Sequence, residues 1–290
     1  LDFFNFYKKF KKKKQILIIR SSVYPGVCDK VRKILNYSND ISYCPERIVQ
    51  GLAIYELPKL TQIISGYSKN SIKESSKLFK EICKDVIQSS VKEAELIKLF
   101  SNAYRYVNFS IANQFYMMCK NLNLDYKNVR EKMMIGYYRN SNIPKAGFTA
   151  GPCLLKDTIQ LSHFFQNKFE LAKSAMKINE GLPKFIIDDL AKNYKIKNKT
   201  LGILGLTFKS DTDDTRDSLS LKLIDYCKKK KLKYLVSDEF CSFKNNISTK
   251  ELIKNSDIII VATPHKKYSN LNIPKKKILV DIWNIIKVNN

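Results

Sequence analysis

Short apolar runs and helical periodicities alternate along this chain. Ile16 to Ile19 is an apolar run closed by the polar turn Arg20-Ser21-Ser22 and then Pro25-Gly26, the pattern of a buried strand delivering a loop. Ile41 to Tyr43, ending at Cys44-Pro45-Glu46, predicts a second strand, and Gln62 to Ser65 a third; residues 71 to 84 have helical spacing. A stronger signal follows, because Ile97, Phe100, Tyr104, Val107, Ile111, Phe115 and Met118 recur at steps of three and four, which predicts one long helix. Lys98 and Asn102 are four apart and fall on roughly the opposite face, so their heads meet a different environment. Helices of this length commonly carry domain packing or subunit contacts. Shorter helical segments fill residues 125 to 195 around a loop from Ile143 to Pro152.

The last section changes character. Thr200 to Leu206 reads as a strand, Ser218 to Lys231 as a helix, and Lys233 to Val236 as a strand with Asp238 at its end. Glu251 to Asn255 is a short helix, and Ile258 to Ala262 and Ile278 to Asp281 are two more buried strands. Alternating strands and helices imply a parallel, doubly wound sheet, so the fold class is α/β.

Composition narrows the function classes. The 290 residues are 44% hydrophobic and 27% charged, as in ordinary globular domains, and no apolar run reaches the roughly 18 residues of a membrane span. The opening LDFFNFYKKFKKKK carries its apolar and basic parts in the wrong order for a secretory signal, so a cytoplasmic protein is expected. Seven scattered cysteines without a CxxC pair, and only two histidines, argue against a disulfide framework and a metal site. The formal charge of +25 favours polyanionic partners only if clustered. Apart from Lys11 to Lys14 and Lys228 to Lys231 the lysines are scattered, and no aromatic-studded basic motif points to nucleic acid. A phosphate-bearing small ligand gains from the same field.

The richest chemistry lies in Gly147-Phe148-Thr149-Ala150-Gly151-Pro152-Cys153-Leu154-Leu155-Lys156-Asp157. Small residues before Cys153 let the backbone approach a ligand, and Asp157 follows one turn later if a helix starts there. A thiol at a helix amino terminus with a lysine nearby is a competent nucleophile; the plain alternative is a cysteine in a turn. Gly205 and Lys209 follow a strand and could meet a phosphate, although GILGLTFK is not a G-x-G-x-x-G turn. Lys98 also reads as a solvated lysine, Glu46 as a helix start, and Arg216 as a local partner of Asp213 or Asp214.

In joint order these residues resemble the UDP-glucose/GDP-mannose dehydrogenases over nearly the whole chain. Gly151-Pro152-Cys153 with Lys156-Asp157 resembles that family's catalytic-cysteine loop. Glu95, Lys98 and Asn102 resemble its E-x-x-K-x-x-x-N helix, and Ser21-Ser22-Val23-Tyr24-Pro25-Gly26 its S-T-V-x-x-G loop. Cys44-Pro45-Glu46-Arg47 with Gly51 is similar to its P-E-x-x-x-x-G segment. Phe208-Lys209, Thr212-Asp213-Asp214, Arg216 and Ser218 are similar to its F-K-x-x-T-D-D-x-R-x-S signature.

The resemblance implies an NAD-dependent, four-electron oxidation of a nucleotide sugar, a UDP-sugar to the UDP-uronic acid, for polysaccharide precursors. Cys153 would capture the aldehyde as a thiohemiacetal that becomes a thioester. Lys98 would stabilise oxyanions, Asn102 and Asp157 would orient Lys98 and water, and Glu46 would move a proton. Gln50 stands where relatives often carry a second carboxylate. Ser22 would contact NAD; Lys209, Arg216, Arg139 and Gly151 would bind the substrate. A homodimer through the central helix is expected. Three parts follow: residues 1–88 a remnant of the NAD-binding domain, 89–196 a helical dimerisation region with the cysteine loop, and 197–290 a Rossmann-like nucleotide-sugar domain.

One departure qualifies this picture. The family begins with a strand, a glycine-rich turn and an acidic residue roughly a hundred residues before the S-T-V-x-x-G loop. Here that loop begins at Ser21 and the chain with Leu1. The expectation is therefore of an incomplete cofactor domain with open sheet edges, poor NAD binding and little activity alone, with a separate amino-terminal fragment as a partner. The alternative is a non-catalytic nucleotide-sugar-binding or assembly remnant.

Overall fold

A computed structural model describes residues 1–10, 15–37, 40–149 and 151–287. The Lys11 to Lys14 run and Ala150 lie outside the described residues. The chain forms two compact units, one of Leu1–Ala103 with Asp157–Phe169, the other of Tyr104–Lys156 with Glu170–Asn290.

The first unit holds α1 (Asp2–Tyr7), β1 (Ile16–Ile19), α2 (Val27–Ile34), β2 (Asp40–Tyr43), α3 (Ala53–Glu56), β3 (Gln62–Gly66), α4 (Lys69–Lys80) and β4 (Val86–Gln88). Its sheet runs β1-β2-β3-β4; β1 pairs parallel with β2 and β3 with β4, but β2 meets β3 antiparallel. The sheet is thus mixed, and its outer strands β1 and β4 are less buried than β2 and β3. Ile19, Val31, Leu35, Ile41, Tyr43 and Ile63 pack one core against Val91 and Ala94 of α5 (Val91–Asn121). A capping box starts α4, where Ser68 accepts from Ser71 N and the Ser71 hydroxyl meets Ser68 N, satisfying two amides that a helix start leaves without carbonyl partners.

The helix α5 spans 31 residues, as the periodicity predicts, but its apolar stripe is its outer side. Phe100, Tyr104, Ile111 and Met118 are exposed, and Ile97, Val107 and Phe115 are half-buried. The buried side carries Glu95, Leu99, Asn102, Ala103, Tyr106, Asn113 and Tyr116. No helix among the described residues is long and apolar enough to cross a membrane.

The second unit contains α6 (Tyr126–Met134), α8 (Glu170–Asn193), β5 (Thr200–Leu204), α9 (Leu219–Lys229), β6 (Lys233–Ser237), α10 (Thr249–Asn255), β7 (Ile258–Val261) and β8 (Ile278–Asp281); α7 (Leu154–Phe164) begins there. The sheet is wholly parallel, β6-β5-β7-β8. Leu201, Ile203, Ile258 and Ile260 face α8 and α9 on one side, while Leu204, Ile259 and Val261 face Leu252 of α10 and Tyr268 on the other. Such two-sided burial requires continuous apolar strands, which is why Ile258-Ile259-Ile260-Val261 has no polar alternation.

Candidate active site

In the first unit, the loop after β1 leads into α2 through Gly26, whose φ of +86° suits glycine and which has no side chain to cap the helix. The cap comes from Glu95 of α5. Its buried carboxylate accepts from Gly26 N at 2.7 Å and Cys28 N at 2.9 Å, satisfying amides at a positive helix end. Lys98, one turn on, is half-buried, and Asn102 is buried with its Nδ2 donating to Asp157 Oδ2 at 2.6 Å. Asp157 lies in the first turn of α7 and is fully buried. Ser22 sits half-buried in the loop at the carboxyl end of β1, where open α/β sheets place their ligands.

Glu46 follows β2. Its Oε1 accepts from Arg47 N at 2.8 Å and Ile48 N at 2.9 Å, and its Oε2 pairs with Arg20, whose guanidinium lies 4.7 Å over the Phe79 ring.

In the second unit, Cys153 immediately precedes α7 and is exposed. The other six cysteines are buried or half-buried, and burial pushes every one of their thiols up: Cys44 to about 11, Cys241 to about 11 and Cys227 to about 12. The loop before Cys153 is held from below by a buried amide chain. Gly147 N donates to Asn113 Oδ1 at 2.8 Å, Asn113 Nδ2 to Asn179 Oδ1 at 2.9 Å, and Asn179 Nδ2 to the Tyr106 carbonyl at 3.1 Å. Each donor has one acceptor, so the amide orientations are fixed. Gly151 has φ +103°, and a Cβ there would lie 2.3 Å from the Phe208 ring; the missing side chain leaves room for that ring.

Lys209 is half-buried on the loop that follows β5. Gly205, at φ +89°, opens this loop against Thr263, whose backbone N would be 2.8 Å from an added Cβ. Arg216 is 70% exposed and forms a fork with Asp214, Nε to Oδ1 at 3.0 Å and Nη2 to Oδ2 at 2.6 Å. Arg139, on a short 3-10 turn from Tyr138 to Asn140, is exposed and lies over the Tyr137 and Tyr138 rings. The Glu95 cap, the Asn113–Asn179 chain and a buried Asp238–His265 pair below the Lys209 loop escaped the sequence reading. Only Glu95 had a visible signal, a capless glycine at a helix start and a glutamate on the non-apolar side of α5.

The NAD binding domain of the UDP-glucose/GDP-mannose dehydrogenase family matches residues 5–83, its central domain 92–181 and its UDP binding domain 202–288. The chain belongs to the UDP-glucose/GDP-mannose dehydrogenase family. By family it is an NAD-dependent nucleotide-sugar dehydrogenase with a UDP binding domain. It is 28% identical to the UDP-N-acetyl-D-mannosamine dehydrogenase of Methanococcus aeolicus, over 98% of this chain and 69% of that protein. The structure of the UDP-D-ManNAc dehydrogenase from Pyrococcus horikoshii superposes with a TM-score of 0.87 at 26% identity, over 99% of this chain and 73% of that one. The fold also matches the UDP-N-acetyl-mannosamine dehydrogenase from Staphylococcus aureus, with a TM-score of 0.85 at 24% identity over 97% of this chain and 70% of that one.

The match over residues 5–83 corrects the expectation drawn from the missing glycine-rich turn. The family's NAD binding domain is represented in this chain, and inactivity through its loss has no support. The residues fit part of the cofactor. At α2 the Gly26 and Cys28 amides are already taken by Glu95, so this helix start is no diphosphate cradle. The Ser21 to Gly26 loop still offers the half-buried Ser22 hydroxyl as a polar contact.

Proposed function

We propose that this chain oxidises the sugar CH2OH of UDP-N-acetyl-D-mannosamine to a carboxylate, by two successive two-electron steps. The observation that carries the reading is Cys153, the one thiol left exposed, placed at the start of the helix whose first turn holds Asp157 against Asn102. The names of the relatives favour this sugar among nucleotide sugars.

Bound NAD supplies the hydride acceptor for each oxidation. The Cys153 sulfur adds to the aldehyde carbon as the C=O π bond opens and the thiol proton passes to the oxygen, giving a thiohemiacetal; its two-electron oxidation gives a thioester, whose C–S bond water cleaves to leave the carboxylate and the free thiol. Capture prevents escape of the aldehyde. Lys98 offsets negative charge growing on the sugar oxygen, where a fixed cation in a water-poor site is most effective. Asn102, itself fixed by Asp157, orients Lys98 and the water. Glu46 carries a proton from within its pair with Arg20, and Ser22 contacts the cofactor.

Lys209, Arg216 and Arg139 take the nucleotide diphosphate, with Arg216 exchanging the Asp214 fork for phosphate oxygens, a geometry that guanidinium serves equally well. Gly151, whose missing side chain makes room for the Phe208 ring, joins the loop before the thiol to the nucleotide loop. Work is divided among residues 1–88 for the cofactor, 89–196 for the nucleophile and dimer, and 197–290 for the nucleotide. The exposed stripe of Phe100, Tyr104, Ile111 and Met118 supports a homodimer through α5.

NADH formation tests the reading. UDP-N-acetylmannosamine should be oxidised faster than UDP-N-acetylglucosamine, UDP-glucose or GDP-mannose, with two NADH per sugar, and Cys153→Ala should abolish uronate release. Faster turnover of another sugar would replace the substrate, and no NADH with any of them would refute the activity.

A further inference from the structure

Beneath the Lys209 loop lies a buried polar pair. Asp238 follows β6 directly and is buried, as is His265. Asp238 Oδ2 accepts from Leu206 N at 2.6 Å and Thr207 N at 3.2 Å, and its Oδ1 accepts from Phe240 N at 2.8 Å. His265 Nε2 is 3.1 Å from the same Oδ2. On the other side of the imidazole, Nδ1 accepts from Asp211 N at 2.9 Å.

These partners fix the tautomer. A ring nitrogen that accepts an amide N–H carries no proton, so Nδ1 is bare, and Nε2 carries the hydrogen it donates to Asp238. The ring is held in place by Phe240, stacked at 4.5 Å, and Tyr268, edge-on at 5.1 Å. One neutral imidazole therefore ties the two ends of the segment Leu206 to Asp211. At the near end it grips the carboxylate that holds the first two amides; at the far end it holds Asp211, whose φ of +56° lies in the left-handed region that aspartate enters more readily than most residues.

The span between these anchors carries Phe208 and Lys209. The Thr207 hydroxyl within it and the Thr212 hydroxyl just beyond it both donate to the Lys209 carbonyl, at 2.9 and 3.0 Å, which leaves the backbone of residue 209 little freedom. The Phe208 ring fills the place of the absent Gly151 side chain.

We infer that His265 is the positioning residue of the nucleotide-sugar loop, a neutral imidazole that links Asp238 to the Asp211 amide and so presets Lys209 for the substrate diphosphate. This rests on the reading of that loop as the diphosphate site. His265 touches no substrate; its effect runs through the loop.

Calorimetric titration with UDP tests it, using wild type, His265→Ala, His265→Asn and His265→Gln, each with a thermal melt. Asparagine puts an amide oxygen near the Nδ1 position and keeps the acceptor for Asp211; glutamine puts an amide nitrogen near Nε2 and keeps the donor to Asp238. His265→Ala should weaken UDP binding about tenfold, and each amide variant should recover part of that loss. NAD affinity should be unchanged in all four. A general loosening of the fold would lower the melting temperature without this graded recovery. If His265→Ala does not fold, the amide variants carry the test. UDP affinity equal to wild type in the variants overturns the role of His265. A wild-type chain that does not bind UDP overturns the diphosphate reading itself, and the inference with it.

Discussion

Two loops in this protein solve one problem in two ways. The loop after β1 and the loop after β5 both leave a strand end with backbone amides that must be satisfied while the surface stays open to a ligand. In each, a buried carboxylate from elsewhere takes two of those amides, Glu95 those of Gly26 and Cys28, and Asp238 those of Leu206 and Thr207. The source of the carboxylate differs. Asp238 belongs to the neighbouring strand end of the same sheet and is backed by His265. Glu95 belongs to α5, one turn before Lys98 and two before Asn102, so the cofactor-side loop is fastened to the helix that carries the proposed chemistry. Local anchoring isolates a loop, whereas anchoring to the helix that carries Lys98 and Asn102 couples it.

The largest effect should come from Asp238→Ala. It strips three amides and His265 of a charged acceptor, and urea unfolding should show a loss of about 4 kcal/mol, since hydrogen bonds to charged groups contribute roughly 1.5–3 kcal/mol each and do not add fully. Glu95→Ala should cost about 3 kcal/mol by the same measurement, for two amides. The ligands should separate the pair. Asp238→Asn should weaken UDP and spare NAD, while Glu95→Gln should weaken NAD and also slow turnover at saturating substrates. Loss of the same ligand in both variants would break the comparison.

Acid sharpens it further. Burial pushes the Asp238 carboxyl up, but the His265 hydrogen bond and the Leu206 and Phe240 amides outweigh it and hold the group below its ordinary 3.8. A group depressed in the folded state stabilises above its unfolded value and loses that contribution as pH falls through the folded one. Melts between pH 5 and pH 2 should therefore show an acid limb that is shallower in Asp238→Asn. The smallest effect concerns the thiols beside the two carboxylates. Cys28 is pushed well up by burial and by Glu95, and Cys241 to about 11 by burial and then Asp238. Iodoacetamide near neutral pH should label Cys153 alone, as peptide mass analysis would show; at pH 9, Asp238→Asn should hasten labelling of Cys241 several-fold as the repelling charge is removed.

The sequence made the strands legible where apolar residues run together. Ile16–Ile19, Lys233–Ser237 and Ile258–Val261 are found within a residue or two of the apolar runs that announce them. The strand Val86–Gln88 was not, because three residues with one half-buried side chain carry no period. The long helix was legible as a helix, but an apolar stripe cannot say whether it faces inward. In α5 the buried side is built from Ala94, Ala103 and Ala112, small enough for close packing, with Glu95, Asn102 and Asn113 satisfied by partners far along the chain. For the same reason Cys153 and Asp157 were visible as a motif whereas Asp238 and His265 were not, since nothing in their spacing of 27 residues encodes an encounter.

The contact between Phe208 and Gly151 has a mechanical consequence. A ring seated where a side chain is missing works as a tongue in a groove: residues 206–211 and the peptide just before Cys153 cannot be displaced independently. Whatever stiffens the first restrains the second. How far residues 206–211 can move thus sets how freely the thiol after Gly151 can wander, and a larger residue at position 151 would dislodge the tongue.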